Sequence, residues 1–106
     1  MRAAIEQGPG YISVIAYWEV TVKWMKGGLG DIIDPGLWWG ETMNALSLLP
    51  LLYRPEHVAA LQLLPPIHQD PFDRAMIAQT IAEDLTFLTT DDIIPQYVSE
   101  RFRVIR

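Results

Sequence analysis

The chain contains no cysteine, and this absence removes several kinds of chemistry at once. Disulfide bonds, a catalytic thiolate and zinc sites built on cysteine are all excluded. A chain without cysteine fits a reducing compartment, so we expect a cytoplasmic protein.

Positive charge is also scarce. Eight Lys and Arg residues stand against thirteen Asp and Glu residues, and the formal net charge is -5. The chain has no block of basic residues, whereas nonspecific nucleic-acid binders usually carry a basic face. Composition alone therefore does not indicate a nucleic-acid binder. An acidic chain can still cleave nucleic acid if its carboxylates gather around a divalent metal ion that meets the phosphate.

Long apolar runs are absent as well. The longest run, residues 45–53, is much shorter than the roughly 20 residues of a membrane-spanning helix, and Pro50 interrupts it. The N-terminus lacks the apolar stretch of a signal peptide, so we expect neither secretion nor a membrane partner. With 106 residues, half of them hydrophobic, the chain is long enough for one domain, residues 1–106, with its own core.

Runs of β-forming residues alternate with helical patterns along the chain. The pattern predicts strands over residues 11–15, 47–53, 85–90 and 102–105. It predicts helices over residues 16–26, 37–46 and 55–64, another after Pro71, and a helical turn over 92–98. Pro50 places its strand at an edge. This alternation predicts an α/β fold, with a parallel sheet flanked by helices on both sides.

The stretch from His68 to Asp91 contains the most informative pattern. Asp70 or Asp73 can cap a helix whose first turn holds Pro71, and the helix leads directly into a buried strand that ends at Asp91. This arrangement is half of a βαβ unit. It places Asp73 at the start of the helix and Asp91 at the carboxyl end of the strand, which is the edge where open α/β sheets bind ligands.

Three segments of the chain carry a family resemblance. They read His-Gln-Asp-Pro-Phe-Asp-Arg at 68–74, Leu-Thr-Phe-Leu-Thr-Thr-Asp at 85–91, and Ser-Val-Ile-Ala-Tyr-Trp-Glu-Val at 13–20. Together they resemble the PIN domain of the VapC type, which is the toxin half of bacterial toxin–antitoxin pairs. The first segment is similar to a subgroup with His-x-Asp-Pro-Phe-Asp-Arg, and the resemblance extends over nearly the whole chain.

The resemblance implies a metal-dependent endoribonuclease whose acidic residues hold Mg²⁺ or Mn²⁺. Carried over by position, the catalytic and metal-binding acids are Glu19, Asp73 and Asp91. Three further residues are implied to lie around the ion or the substrate: Asp70, Arg74 and His68. The implied partners are an RNA substrate, a cognate antitoxin protein and a second copy of the chain in a homodimer.

The chain departs from the family at its N-terminus. The family begins with a strand that ends in Asp, in a Leu-Leu-Asp-Thr type of motif, followed by a helix. Here residues 1–7 are predicted to be the end of a helix, stopped by Gly8-Pro9-Gly10. We therefore expect a PIN-like fold that lacks its central first strand and is weakly active or inactive alone. A second chain is expected to fill the gap, because buried unpaired amides are costly.

Each of these acids also has a simpler interpretation. Glu19 can pair with Lys23 one helical turn away, and Asp73 can be a first-turn acid that the helix dipole favours. Asp91 can cap the turn after its strand, and Asp70 can serve as an N-cap. Under these interpretations the chain is a non-catalytic PIN-like interaction or dimerisation module.

A third possibility is an acidic pocket that accepts phosphate. Such pockets usually need a lysine, and the sequence places Lys23 and Lys26 poorly for that role.

Overall fold

The computed structural model describes residues 2–3 and 9–106. These residues form four α-helices and five short strands. The helices are α1 (Val14–Met25), α2 (Pro35–Leu46), α3 (Pro55–Ala60) and α4 (Pro71–Ala82). The strands are β1 (Arg2–Ala3), β2 (Gly10–Ser13), β3 (Leu48–Leu51), β4 (Thr86–Leu88) and β5 (Arg103–Ile105). The predicted mixture of helices and strands is confirmed.

The strands form two parallel pairs with β1 between them. β2 pairs with β3, and β4 pairs with β5, both in parallel, while β1 runs antiparallel to β2 on one side and to β4 on the other. The order across the sheet is β3-β2-β1-β4-β5, so the strand that contains Pro50 lies at an edge, as predicted. The parallel pairing is confirmed for the outer pairs, but the sheet as a whole is mixed because of β1.

The helix predicted for residues 1–7 is wrong at Arg2 and Ala3, and the rest of it lies outside the described residues. Ala3 is in register with Tyr11 of β2 and Phe87 of β4, and Arg2 with Leu88. β2 and β4 each offer unpaired backbone groups to Arg2 and Ala3. Pairing with these groups outweighs the intrinsic helix propensity of the two residues. The absence of a PIN-type central strand stays a prediction.

Polar caps fix where the long helices begin. The Ser13 hydroxyl accepts a hydrogen bond from the amide of Ile15 at 3.0 Å and starts α1. The Asp34 carboxylate accepts from the amide of Leu37 at 3.0 Å and starts α2. At its other end α1 stops at Gly27, which has a φ of 78°.

The core lies between the sheet and the helices, and α4 runs through it. Met76 to Thr80 of α4 are all buried, so the middle of this helix contacts protein around most of its circumference. The most deeply buried large apolar side chains are Ile12, Ile77, Phe87, Ile94 and Phe102. Among the described residues, no helix has the length and apolar character needed to cross a membrane.

Two predicted helices are shorter than expected. The helix predicted over 55–64 ends at Ala60 and continues as a 3₁₀ turn over Leu61–Leu63, before Pro65 and Pro66. The turn predicted over 92–98 is a 3₁₀ turn over Ile94–Tyr97, with Pro95 near its start.

Candidate metal centre

Glu19 lies on the half-buried side of α1. It follows the buried Ile15 and Ala16 by one helical turn, so it continues the face that contacts the core. Its side chain retains only 17% of its accessible surface. Because α1 packs against α4, this face brings Glu19 to the start of α4.

Asp70 is the N-cap of α4. Its Oδ1 accepts hydrogen bonds from the amides of Phe72 at 2.9 Å and Asp73 at 3.0 Å, and Pro71 occupies the first helical position. The sequence left Asp70 and Asp73 open as the cap, and the structure assigns that role to Asp70. Both amides donate to Oδ1, so Oδ2 of Asp70 can still accept a hydrogen bond or bind an ion.

Asp73 lies on the buried face of α4. It precedes the fully buried Ile77 by one turn and shares its face, which leaves Asp73 only 8% exposed. Burial in surroundings of low polarity raises the pKa of its carboxyl group above the usual range. A hydrogen bond from His68 opposes this shift, while the negative charges of Asp70 and Glu19 add to it.

These three acids come together although Glu19 is distant from the others in sequence. One carboxylate oxygen from each of Glu19, Asp70 and Asp73 lies within 4.8 Å of the other two. Among the described residues no other group of three or more His, Asp or Glu side chains is gathered in this way.

The donor set of this acidic cluster fits a hard divalent ion. Mg²⁺ prefers oxygen ligands at about 2.1 Å, so two oxygens on opposite sides of one ion are about 4.2 Å apart. Adjacent oxygens on such an ion are only about 3.0 Å apart, so the three cluster oxygens, which lie up to 4.8 Å from one another, have to approach by up to about 2 Å when an ion binds. Carboxylates are also favoured at the N-terminus of α4 by the helix dipole, which partly offsets their mutual repulsion.

Lys23 borders the cluster. Its Nζ lies 2.9 Å from Oε2 of Glu19, the pairing that the sequence indicated. The hydrogen bond to Glu19 raises the pKa of Lys23, and the charges of Glu19, Asp70 and Asp73 act in the same direction. The structure therefore places Lys23 beside the acidic cluster, and its role in a phosphate-accepting pocket stays untested.

His68 contacts the buried acid directly. Its Nε2 lies 3.1 Å from Oδ2 of Asp73, and its Nδ1 lies 2.7 Å from the hydroxyl of Tyr97. The structure therefore brings His68 beside a cluster acid.

Arg74 donates hydrogen bonds to groups outside the acidic cluster. Its Nη1 donates to the backbone carbonyl of Pro65 at 2.8 Å and to the Tyr97 hydroxyl at 3.0 Å. These bonds fix the loop before α4 against Tyr97. They do not join Arg74 to any of the three cluster acids.

Asp91 lies outside the cluster. It follows β4, and its Oδ1 accepts a hydrogen bond from the amide of Ile93 at 2.6 Å, while its own amide donates to the Thr89 hydroxyl at 2.9 Å. These bonds shape the turn that leads into the 3₁₀ segment, which is the capping role the sequence left open. Of the predicted ligands the structure brings together Glu19 and Asp73. It adds Asp70 to them, and the ligand role of Asp91 stays a prediction.

Sequence reasoning missed Tyr97 and the buried His57. His57 is fully buried; its Nδ1 accepts the amide of Arg54 at 3.0 Å and its Nε2 lies 2.7 Å from Glu83. The signal in the sequence is weak, because His57 and Glu83 are 26 residues apart and no spacing rule joins them.

An open groove of about 450 Å³ lies beside this second histidine. It is lined by Pro50, Leu51, Leu52, Arg54, Glu56 and Glu83. Its carboxylates already face Arg54 and His57, and it contains no gathered set of three acids. The acidic cluster is therefore the stronger candidate site.

Comparisons with protein-family models, with curated proteins and with solved structures found no match to this chain.

Proposed function

We propose that this chain is a PIN-like, metal-dependent endoribonuclease, the toxin of a type II toxin–antitoxin pair. The observation that supports this proposal best is the convergence of Glu19, Asp70 and Asp73 on one point, with Asp73 buried. A buried carboxylate beside two others is costly to ionise, and such arrangements are concentrated at functional sites.

The chemistry assigns a role to each side chain. Glu19, Asp70 and Asp73 would hold one Mg²⁺ or Mn²⁺ ion, which supplies an activated water and a positive charge for the RNA phosphate. His68 holds the Asp73 carboxylate in place through its 3.1 Å hydrogen bond. Lys23 neutralises part of the charge of Glu19 and has to give way when a cation enters.

We expect cleavage by the chain alone to be slow. The cluster offers three carboxylates, one of which also caps a helix, and Asp91 is not among them. The test is Mn²⁺-dependent cleavage of a mixed single-stranded RNA, comparing wild type with Asp73→Asn. Trace cleavage that depends on Mn²⁺ and on Asp73 supports the proposal. Robust cleavage that is lost in Asp73→Asn would support the proposed nuclease activity but refute the expectation that it is slow.

The partners belong to the same proposal. An RNA substrate, a cognate antitoxin protein and a homodimer follow from the resemblance, and the absence of cysteine favours a cytoplasmic location. Large apolar side chains are exposed on and after α1, including Trp18 at 58% and Ile33 at 88%, and such side chains are common at protein interfaces.

A non-catalytic interaction module is the second candidate, and one observation favours it. Every acid of the cluster already has a partner within the protein: Glu19 pairs with Lys23, Asp70 caps α4, and Asp73 accepts from His68. Acids that serve only these roles need no ion. Metal titration separates the two candidates, because saturable Mn²⁺ binding that depends on Glu19 and Asp73 favours the nuclease.

A further inference from the structure

Tyr97 stands at the centre of a partly buried hydrogen-bond network that reaches Asp73 of the acidic cluster. The residue is 3% exposed, and its hydroxyl oxygen has three polar neighbours. These are the backbone nitrogen of His68 at 3.3 Å, Nη1 of Arg74 at 3.0 Å and Nδ1 of His68 at 2.7 Å.

Two of these neighbours can only donate. A backbone amide and a guanidinium nitrogen carry hydrogens and no acceptor lone pair, so both direct an N–H at the hydroxyl oxygen. A hydroxyl oxygen has two acceptor lone pairs and one hydrogen. The single O–H of Tyr97 must therefore point at the remaining neighbour, Nδ1 of His68.

This geometry fixes the tautomer of His68. An Nδ1 that accepts a hydrogen bond carries no hydrogen, so the neutral imidazole carries its hydrogen on Nε2. Nε2 is the atom that lies 3.1 Å from Oδ2 of Asp73. In the opposite tautomer a bare Nε2 would face the carboxylate, and two acceptors would repel each other.

We infer that Tyr97 is a positioning residue for the metal centre: its hydroxyl fixes His68 in the Nε2–H tautomer, and this tautomer orients Asp73. That this orientation serves metal binding rests on the proposed function. The hydrogen-bond network itself is observed in the structure. A hydrogen bond from Nε2–H holds the Asp73 carboxylate in one orientation, which is what hydrogen-bond partners of metal ligands commonly do.

Arg74 has a defined part in this inference. Its N–H fills one lone pair of the Tyr97 hydroxyl, and it is tied to the carbonyl of Pro65 as well. Arg74 thereby helps to force the hydroxyl hydrogen towards His68 and acts on the site through Tyr97, without contacting the cluster acids.

His57 provides an internal reference for the test. Its Nδ1 accepts the amide of Arg54, so it too carries its hydrogen on Nε2, but by a route that does not involve Tyr97. The chain has two histidines, so the imidazole signals of His57 and His68 can be assigned with a single His57→Gln variant.

The first measurement is the ¹⁵N spectrum of the imidazole rings in the metal-free protein. We expect both histidines of the wild type to show the Nε2–H tautomer. In Tyr97→Phe only the Asp73 carboxylate still favours the Nε2–H tautomer, so the share of that tautomer at His68 is expected to fall, while His57 stays unchanged. Tyr53→Phe is the matched control, because Tyr53 packs against the ring of His57, at a centroid distance of 5.5 Å.

The second measurement is Mn²⁺ affinity in a double-mutant cycle. Loss of groups that orient a metal ligand typically lowers metal affinity about 10- to 100-fold, so we expect about a tenfold loss in Tyr97→Phe. His68→Ala should lose at least as much. In the His68→Ala background, Tyr97→Phe should then change the affinity by less than about twofold, because Tyr97 acts through His68.

The outcomes decide between a positioning and a merely structural role. A wild-type His68 with its hydrogen on Nδ1, or a Tyr97→Phe variant with unchanged tautomer and affinity, overturns the inference. Equal and additive losses of affinity in both backgrounds also overturn it, because they show that Tyr97 acts without His68. Failure of the wild type to bind Mn²⁺ refutes the proposed function instead, and the tautomer of the metal-free protein still tests the network.

Discussion

The ionised carboxylate of Asp73 would favour the proposed metal ion, whereas folding of the metal-free protein favours the protonated form. Its folded-state pKa is raised, first by burial, so the folded protein binds this proton more tightly than the unfolded chain does. The associated stability is therefore fully present below the ordinary value of 3.8 and is lost as pH rises through the raised pKa. Above this raised pKa the metal-free protein carries the cost of the buried charge.

We predict that Asp73→Asn stabilises the metal-free protein at pH 7, by up to about 1 kcal/mol. The amide keeps an acceptor for His68 and removes the buried charge. Urea denaturation in EDTA measures the effect, and the difference should vanish near about pH 3, where the wild-type carboxyl is protonated. Asp31→Asn, at an exposed acid, is the control and should have little effect. A less stable Asp73→Asn at pH 7 contradicts this account.

In the proposed metal site Lys23 would compete with a cation for Glu19. We predict that Lys23→Met raises Mn²⁺ affinity by up to about fivefold, because an exposed ion pair is worth about 0.2 to 1 kcal/mol and the cation no longer displaces it. Calorimetric titration measures the change. Lys26→Met removes the same charge from the end of α1 and should have a smaller effect. Equal effects of the two variants would show that only net charge matters.

Asp70 is the N-cap of α4 and, in the proposed site, also a metal ligand, and substitution can separate these two roles. Asp70→Ser keeps an N-cap but loses the carboxylate, whereas Asp70→Ala loses both. We predict that the Ala variant loses about 1 kcal/mol of stability and that the Ser variant loses less than about 0.5 kcal/mol. Both should lose Mn²⁺ affinity to the same extent. Unchanged affinity in Asp70→Ser would remove Asp70 from the ligand set.

The junction between α3 and α4 depends on His57. We predict that His57→Ala lowers the free energy of unfolding by about 2 to 4 kcal/mol, since it leaves the Arg54 amide without its acceptor and opens a cavity. His57→Asn, whose amide oxygen can replace Nδ1, should lose less. Urea denaturation compares the two variants. A loss below about 1 kcal/mol in His57→Ala contradicts the assignment of His57 to the fold.

At this scale of elements, local signals in the sequence account for much of the structure. Interactions within a few residues explain the cap at Asp70 with Pro71, the edge position of Pro50 and the end of α1 at Gly27. The convergence of Glu19 and Asp73 was predicted from the family resemblance. The place of Asp70 in the cluster, the Tyr97 network and the pairing of β1 depend on contacts between distant segments, which no local pattern encodes.

Considered as a whole molecule, the chain is too acidic to hold RNA by its own charge. Its net charge is -5, and three of its carboxylates converge at the candidate site. Phosphate groups are attracted to basic surfaces, so at the proposed site an RNA phosphate would need a bound cation between it and the acids. Binding of a divalent metal ion is therefore the condition for every later step of the proposed reaction.

The most direct test of this claim is a calorimetric Mn²⁺ titration of wild type, Glu19→Gln, Asp70→Ser and Asp73→Asn, with Asp91→Asn measured beside them. We predict one saturable site in the wild type and a loss of at least about tenfold in affinity in each of the three cluster variants, while Asp91→Asn tests the ligand role that the resemblance implies for Asp91. The absence of a saturable site, or cluster variants that bind as the wild type does, would contradict the claim.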